Sequence, residues 1–182
     1  SCSIDKELIK KTIAFHGHSC PGLVIGIRAA ELALQKLTHV GKEDLVAVVE
    51  TDMCGVDAIQ FLTGCTFGKG NLIHKDYGKM AFSFYDRSKN VGFRAVLRPD
   101  IPGDIGSELR SLMKKVEAGT ASQEESTRVQ NLRNTLQERY MKADLEEWGR
   151  TLEQKVKQRT EELVAMQARV AQSERLASLG ML

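Results

Sequence analysis

The chain has 182 residues, of which 42% are hydrophobic and 27% charged, and this composition is typical of a folded protein rather than a disordered one. Its formal net charge of +2 is nearly balanced, which argues against the concentrated positive charge of nucleic-acid-binding proteins, and we expect no nucleic-acid partner. The longest apolar runs are far shorter than the roughly 18 residues that cross a bilayer, so the sequence predicts no membrane segment.

The chain opens with two predicted helices. Apolar residues Ile4, Leu8 and Phe15 share one helical face, and this pattern ends before Gly17. Pro21 then suits the first turn of a second helix, where its missing N–H group costs nothing. The predicted core-facing residues of the second helix are Leu23, Ile27, Ala30, Leu34 and Leu37.

The middle of the chain predicts a small sheet. The run LVAVVE predicts a buried strand, and VDAIQFLTG predicts a short helix that ends at Gly64. Two alternating patterns then predict two strands joined by a turn at DRSKN. Their apolar residues are Met80, Phe82 and Phe84, followed by Val91, Phe93, Ala95 and Leu97. We therefore predict an α+β fold, a small sheet packed with helices, over residues 1–118.

Beyond Pro102, the last proline, the sequence predicts long helices. The first of them ends at Gly119, and Ser122 with Glu125 forms a capping box for the next. We interpret residues 119–144 as a helical connector and residues 145–182 as a coiled-coil stem, whose seam a homodimer would bury. The heptad positions of this stem are Leu145, Leu152, Val156, Leu163, Met166, Val170 and Ala177.

All four cysteines and all four histidines lie within the first 74 residues. His16, His18 and Cys20 fall in the stretch FHGHSCPG, and imidazole and thiolate are the ligands that Zn²⁺ and similar ions prefer. Compact packing could bring Cys54 and Cys65 to the same place. The spacing differs from the paired C-x-x-C units of zinc fingers, and buried cysteines often act as small hydrophobic residues. A metal site and a structural role both stay open at this point.

Asp57 follows Cys54 by three residues, which puts both on one helical face. Three roles are open to it: a metal ligand, a partner that orients a ligating imidazole, or an acid favoured by the helix dipole. Cys2, His39 and His74 are expected outside the site.

Three stretches resemble, in order, the E-subunit family of formylmethanofuran dehydrogenase: FHGHSCPGLVIGIRAAELA, VETDMCGVDAIQFLTGCTFGKGNLIHKDYGKMAFSFY and KKVEAGTASQEE. The resemblance covers roughly residues 5–140. It implies a dimeric α+β core with a metal-binding pocket. Carried over by position, the pocket residues are His16, His18, Cys20, Cys54, Asp57 and Cys65. Many family members append a cysteine-rich zinc finger, whereas this chain has no cysteine beyond Cys65.

A second resemblance concerns the last part of the chain. The stretch LEQKVKQRTEELVAMQARVAQSERLASLGML is similar to the segment of bacterial sensor histidine kinases that leads into the dimerisation and phosphoacceptor helix. In that family the phosphorylated histidine follows shortly after such a segment. We therefore expect the chain to be a piece of a longer protein.

These observations lead to two functional hypotheses. In the preferred one, the chain is a cytoplasmic, dimeric, metal-binding sensory module that responds either to a small-molecule ligand or to loss and gain of its metal ion. Its stem then relays the signal to a kinase domain in cis. In the alternative, it is an accessory or catalytic component of a molybdenum or tungsten dehydrogenase in one-carbon metabolism. A metal ion would then act as a Lewis acid, with Asp57 as the candidate acid or base. The sequence itself identifies no catalytic centre.

Overall fold

A computed structural model describes residues 1–37, 41, 44–98 and 100–145. Within these ranges the elements are α1 (Lys6–His16), α2 (Pro21–Lys36), β1 (Leu45–Val49), α3 (Gly55–Thr63), β2 (Leu72–His74), β3 (Ala81–Asp86), β4 (Val91–Val96), α4 (Gly103–Glu117) and α5 (Gln123–Lys142). The predicted α+β fold class is confirmed. Among the described helices, none is both long enough and apolar enough to span a membrane.

The strands form one sheet in the order β2-β1-β3-β4. The predicted pair β3 and β4 is antiparallel, with Phe84 opposite Phe93, and β3 also pairs antiparallel with β1. Strand β2 is parallel to β1, with Leu72 opposite Ala47, and the sequence pattern did not predict it. Three residues are too few to establish an alternation of apolar and polar side chains.

Helix α2 is the centre of the fold. Every residue from Leu23 to Ala33 is buried, and α1, α3 and α5 all pack against the helix. The predicted apolar face is therefore only part of its buried surface, and Leu34 is exposed. Two charged residues of α2, Arg28 and Glu31, are also buried. They form an ion pair, which offsets the free energy of removing both charges from water.

The backbones of α2 and α3 touch at two glycines. A Cβ atom added to Gly26 would lie 2.1 Å from the carbonyl oxygen of Gly55, so no larger residue fits there without parting the helices. One turn earlier, a Cβ atom on Gly22 would lie 3.3 Å from the Cβ atom of Cys54. This close packing holds the start of α3, and Cys54 with it, against the first turns of α2.

Helix α1 buries a different face from the predicted one. Phe15 is 55% exposed and Leu8 is 37% exposed, so neither belongs to the core. The inner face instead carries Thr12, which is buried, together with Ile9 and Ile13, which pack against buried residues of α2 and α3. These three residues have the spacing of one helical stripe, and His16 continues it one turn later.

Helix α5 packs on α2 and α4. It begins with the predicted capping box: the Glu125 N–H donates to Ser122 Oγ at 3.1 Å, and the Ser122 N–H donates to Glu125 Oε2 at 3.0 Å. Its inner residues Val129, Leu132, Leu136 and Tyr140 are buried. The predicted connector thus lies within the compact unit Ser1–Trp148. Leu145, the first predicted stem residue, is buried in a cluster with Leu32 and Ala95, and the rest of the predicted coiled coil lies outside the described residues.

Candidate metal centre

Four side chains converge where the end of α1 meets the starts of α2 and α3. His16, His18, Cys20 and Cys54 each offer one donor atom, and these four atoms all lie within 4.8 Å of one another. In tetrahedral zinc sites with bonds of about 2.0 to 2.3 Å, donor atoms lie about 3.3 to 3.8 Å apart. The cluster is close to this size, and its two imidazoles and two thiols are a typical zinc donor set.

Local backbone features bring three of these donors together at the turn between α1 and α2. Gly17 adopts φ of 94°, a left-handed conformation that ends α1 immediately after His16. The chain reverses and starts α2 at Pro21, with Cys20 as the N-cap residue. The imidazole rings of His16 and His18 therefore lie side by side, with their centroids 4.5 Å apart.

Both cysteines of the cluster lie at helix N-termini. The sulfur of Cys20 accepts the N–H of Leu23 at 3.4 Å. Cys54 occupies the N-cap position of α3 without a side-chain capping bond. Burial raises the pKa of the Cys54 thiol, and the neighbouring Cys20 thiol raises it further. Two adjacent thiolates in this location need a compensating positive charge.

Asp57 orients one of the imidazoles. Its Oδ2 atom lies 2.7 Å from Nδ1 of His16, and this hydrogen bond places the imidazole proton on Nδ1. The Nε2 atom, which then carries a free lone pair, lies 4.0 Å from the sulfur of Cys20. Of the three roles considered for Asp57, this geometry fits the orienting role, because the carboxylate contacts the outer nitrogen of a candidate ligand.

The structure does not bring Cys65 into this cluster, although the sequence placed it among the candidate ligands. Cys65 follows α3 whereas Cys54 precedes it, and a helix of 9 residues separates its two ends by about 13 Å. The Cys65 thiol is fully buried in the main core and donates to the carbonyl oxygen of Leu45 at 3.4 Å. Burial raises its pKa as well, and here the thiol acts as a small core residue.

The remaining candidates lie elsewhere. His74 is exposed on β2, and Cys2 lies near the end of α5, where its N–H donates to the carbonyl oxygen of Met141 at 3.1 Å. His39 lies outside the described residues. Among the residues that the structure describes, the four-donor cluster is the one group of three or more candidate ligands within bonding range of a single ion.

The surface beside the cluster was not predicted as part of the site. Phe15 contacts Phe61 of α3, with ring centroids 5.4 Å apart, one residue from His16 on α1 and one turn from Asp57 on α3. The spacing of Asp57 and Phe61 on one helical face is the sequence signal for this arrangement. The aromatic pair and the hydrogen bond from Asp57 to His16 together hold α1 against α3 at the site.

Comparisons with known proteins identify similar chains. The crystal structure of a tungsten formylmethanofuran dehydrogenase FmdE-like protein from Syntrophus aciditrophicus matches with a TM-score of 0.50 and 35% identity, covering 62% of this chain and 60% of that one. A protein from Archaeoglobus fulgidus described as a probable S-adenosyl-L-methionine-binding protein is 36% identical over 101 residues. That match covers 52% of this chain but only 27% of the relative.

A protein-family model matches a longer stretch of the chain. The model, described as FmdE, molybdenum formylmethanofuran dehydrogenase operon, matches residues 15–150. This range is more than half of the chain and includes all four donors of the cluster. The chain therefore belongs to the FmdE family.

Proposed function

We propose that this chain is a metal-binding module that holds Zn²⁺, or a similar divalent transition metal, with His16, His18, Cys20 and Cys54. The observation that carries the proposal is the convergence of their four donor atoms within 4.8 Å. Two thiolates and two neutral imidazoles carry a total charge of −2, which a divalent cation neutralises. A bound ion would also connect the ends of three helices.

The donor set supports a site completed by protein ligands. Four protein donors fill the tetrahedral coordination typical of structural zinc, whereas catalytic zinc sites keep one position for water or substrate. Cys20 is buried and His16 and Cys54 are partly buried, while His18 is exposed. His18 is therefore the ligand that a small molecule from solvent could most easily displace.

Metal analysis of the purified chain tests this proposal. We expect one Zn²⁺ per chain after reconstitution. Substitution by Co²⁺ should give the strong absorption of tetrahedral cobalt, with charge-transfer bands from two thiolates. A protein that takes up no metal, or that gives only the weak absorption of octahedral cobalt, would contradict the assignment.

We propose, as a finer assignment, that the metal module is the sensory input of a histidine kinase. Its support is the similarity of the last part of the sequence to the segment that precedes the phosphoacceptor helix of such kinases. The packing of α5 on α2, the helix that Cys20 begins, adds to this support. The test is autophosphorylation of the full-length protein with Cys20 and Cys54 both changed to serine. Kinase activity that responds to metal and ligand as in the wild type would refute the sensory role.

An enzymatic or accessory role is the competing assignment. Membership of the FmdE family supports it, as does the exposure of His18 and of 39% of the Asp57 side chain beside the metal cluster. The name of the Archaeoglobus relative makes S-adenosyl-L-methionine one ligand to test. Calorimetric titration with this compound, and copurification with a dehydrogenase complex, separate this role from the sensory one.

We also propose that the chain forms homodimers through its core and its C-terminal segment. The resemblance of the sequence to a dimeric family and to a kinase dimerisation segment supports this. Light scattering on the intact chain and on a chain ending at residue 145 tests both parts. A monomeric intact chain would exclude the dimer, and a dimer that survives truncation would assign it to the core.

A further inference from the structure

The loop that supplies two metal donors also contacts α5. His18 and Cys20 contribute donors to the cluster, and Ser19 lies between them in the sequence. The hydroxyl of Ser19 donates to Oε1 of Gln137 on α5. The other end of the Gln137 amide donates to the carbonyl oxygen of Arg133 at 3.4 Å, which fixes Oε1 toward the loop. Any restraint on the donors of this loop therefore also restrains Ser19, which donates a hydrogen bond to α5.

Two further contacts continue along the same helices. Arg28 of α2 donates through Nη2 to the carbonyl oxygen of Ala143, at the end of α5, at 2.5 Å. Leu145 is buried in one cluster with Leu32 of α2. The contacts occur in the same order along α2 and along the end of α5. The metal loop is thus at one end of this contact line, and Leu145 is at the other.

We propose that α5 responds to metal occupancy through the hydrogen bond between Ser19 and Gln137, so that a bound ion stabilises the C-terminal turns of α5. This inference rests on the proposed metal-binding function. A cation that restrains both His18 and Cys20 removes conformational freedom from the loop, so that the hydrogen bond from Ser19 then requires less additional ordering. Metal binding and the docking of α5 therefore favour each other.

The coupling is reciprocal, because two linked binding events must change each other's equilibrium by the same factor. A single hydrogen bond between a loop and a helix corresponds to about a two- to tenfold change in an equilibrium constant. Removing the hydrogen bond should therefore weaken zinc binding by about two- to tenfold. The same change should remove the effect of zinc on α5.

Hydrogen–deuterium exchange on the intact chain, with and without Zn²⁺, tests this inference. In the wild type, zinc should slow the exchange of amides in residues 134–143. Ser19→Ala and Gln137→Ala should each lose this slowing and bind zinc about two- to tenfold more weakly. The double variant should bind zinc no more weakly than either single variant, since both remove one interaction. Ser19→Thr, which keeps the hydroxyl group, should retain both the zinc-dependent slowing and the wild-type zinc affinity.

Gln130→Ala is the matched control. Gln130 is the same residue type on the same helix, but it is exposed and donates to Asn134 within α5 at 3.3 Å. Its removal should leave both the zinc affinity and the zinc-dependent slowing as in the wild type.

The outcomes separate this inference from the function on which it rests. If Gln137→Ala keeps the full zinc-dependent slowing, or if the two single changes weaken zinc binding additively, the inference is wrong. A wild-type chain that binds zinc without any slowing in α5 overturns the coupling and leaves the metal site standing. A wild-type chain that binds no zinc overturns both.

Discussion

The two ends of α3 carry cysteines with opposite roles. Cys54, at the start of the helix, lies beside His16 and Cys20, where two imidazoles and a second thiol surround its sulfur. Cys65, after its end, lies in the main hydrophobic core, where its thiol donates to the backbone carbonyl of Leu45. Burial raises the pKa of both thiols. The neighbouring donors, and not burial itself, therefore distinguish a candidate ligand from a core residue.

The sharpest test of this comparison replaces each cysteine with alanine. Cys54→Ala removes a donor, and we expect zinc affinity to fall by more than the roughly 10- to 100-fold loss typical of residues that only orient a ligand. Cys65→Ala should keep one zinc per chain and lower the free energy of unfolding by about 1 to 2 kcal/mol, because it opens a small cavity. Chelator competition and urea denaturation measure the two effects. Loss of zinc from Cys65→Ala would show that Cys65 is needed for metal binding, in contradiction to its assignment as a core residue.

A second test separates α2 from α3. Gly26→Ala places a Cβ atom 2.1 Å from the carbonyl oxygen of Gly55. Since the nearest atoms are backbone, we expect a loss of about 3 kcal/mol in the free energy of unfolding, together with weaker zinc binding as Cys54 moves away. The control is Gly68→Ala, where an added Cβ atom meets nothing within 4 Å. Urea denaturation should show little change for Gly68→Ala, and equal stability of the two variants would refute the close helix contact.

A third test concerns the orientation of His16. Asp57→Ala removes the hydrogen bond to Nδ1, and we expect zinc affinity to fall by about 10- to 100-fold. Asp57→Asn, which can still pair with the imidazole, should have a smaller effect. The exposed neighbour Asp52 provides the control, because Asp52→Ala removes a nearby carboxylate without touching His16. Equal losses for Asp52→Ala and Asp57→Ala would reduce the role of Asp57 to general electrostatics.

The pH dependence of zinc binding distinguishes the two thiols again. Because its pKa is raised, the Cys54 thiol is protonated at neutral pH, and a metal ion must displace that proton. Zinc affinity should therefore fall as the pH falls, by about tenfold per pH unit for each proton displaced. Titration calorimetry in buffers of different ionisation enthalpy counts the protons. On binding zinc, Cys65→Ala should release as many protons as the wild type. Release of fewer protons would assign Cys65 to the site.

Much of the candidate site could be predicted from the sequence, because three of its donors lie within five residues. A loop this short keeps His16, His18 and Cys20 close together in almost any fold. Cys54 could be suggested from its position after a buried strand. The sequence could not show that Cys65 lies outside the site. Which end of α3 lies beside the other donors depends on how α3 packs on α2, and the contact of Gly26 with Gly55 is part of that packing.

In the fold, too, features with a local sequence signal could be predicted, whereas features that depend on tertiary packing could not. The capping box at Ser122 and the antiparallel strands β3 and β4 have local signals, and the structure has both. The inner face of α1 depends on where α3 packs, and the apolar residues Leu8 and Phe15 pointed to the wrong side. The burial of Arg28 was equally hidden, because a charged pair three residues apart on a helix normally indicates a solvated surface.

The buried guanidinium of Arg28 has a mechanical consequence. It donates to the carbonyl oxygen of Ala143 from the middle of the most enclosed helix in the described part of the chain. A tensile load applied to the polypeptide beyond Leu145 would therefore reach the interior of the fold directly, instead of peeling a terminal helix from its surface. Under such a load, the packing of Leu145 against Leu32 and the hydrogen bond from Arg28 to Ala143, the C-cap residue of α5, would resist together.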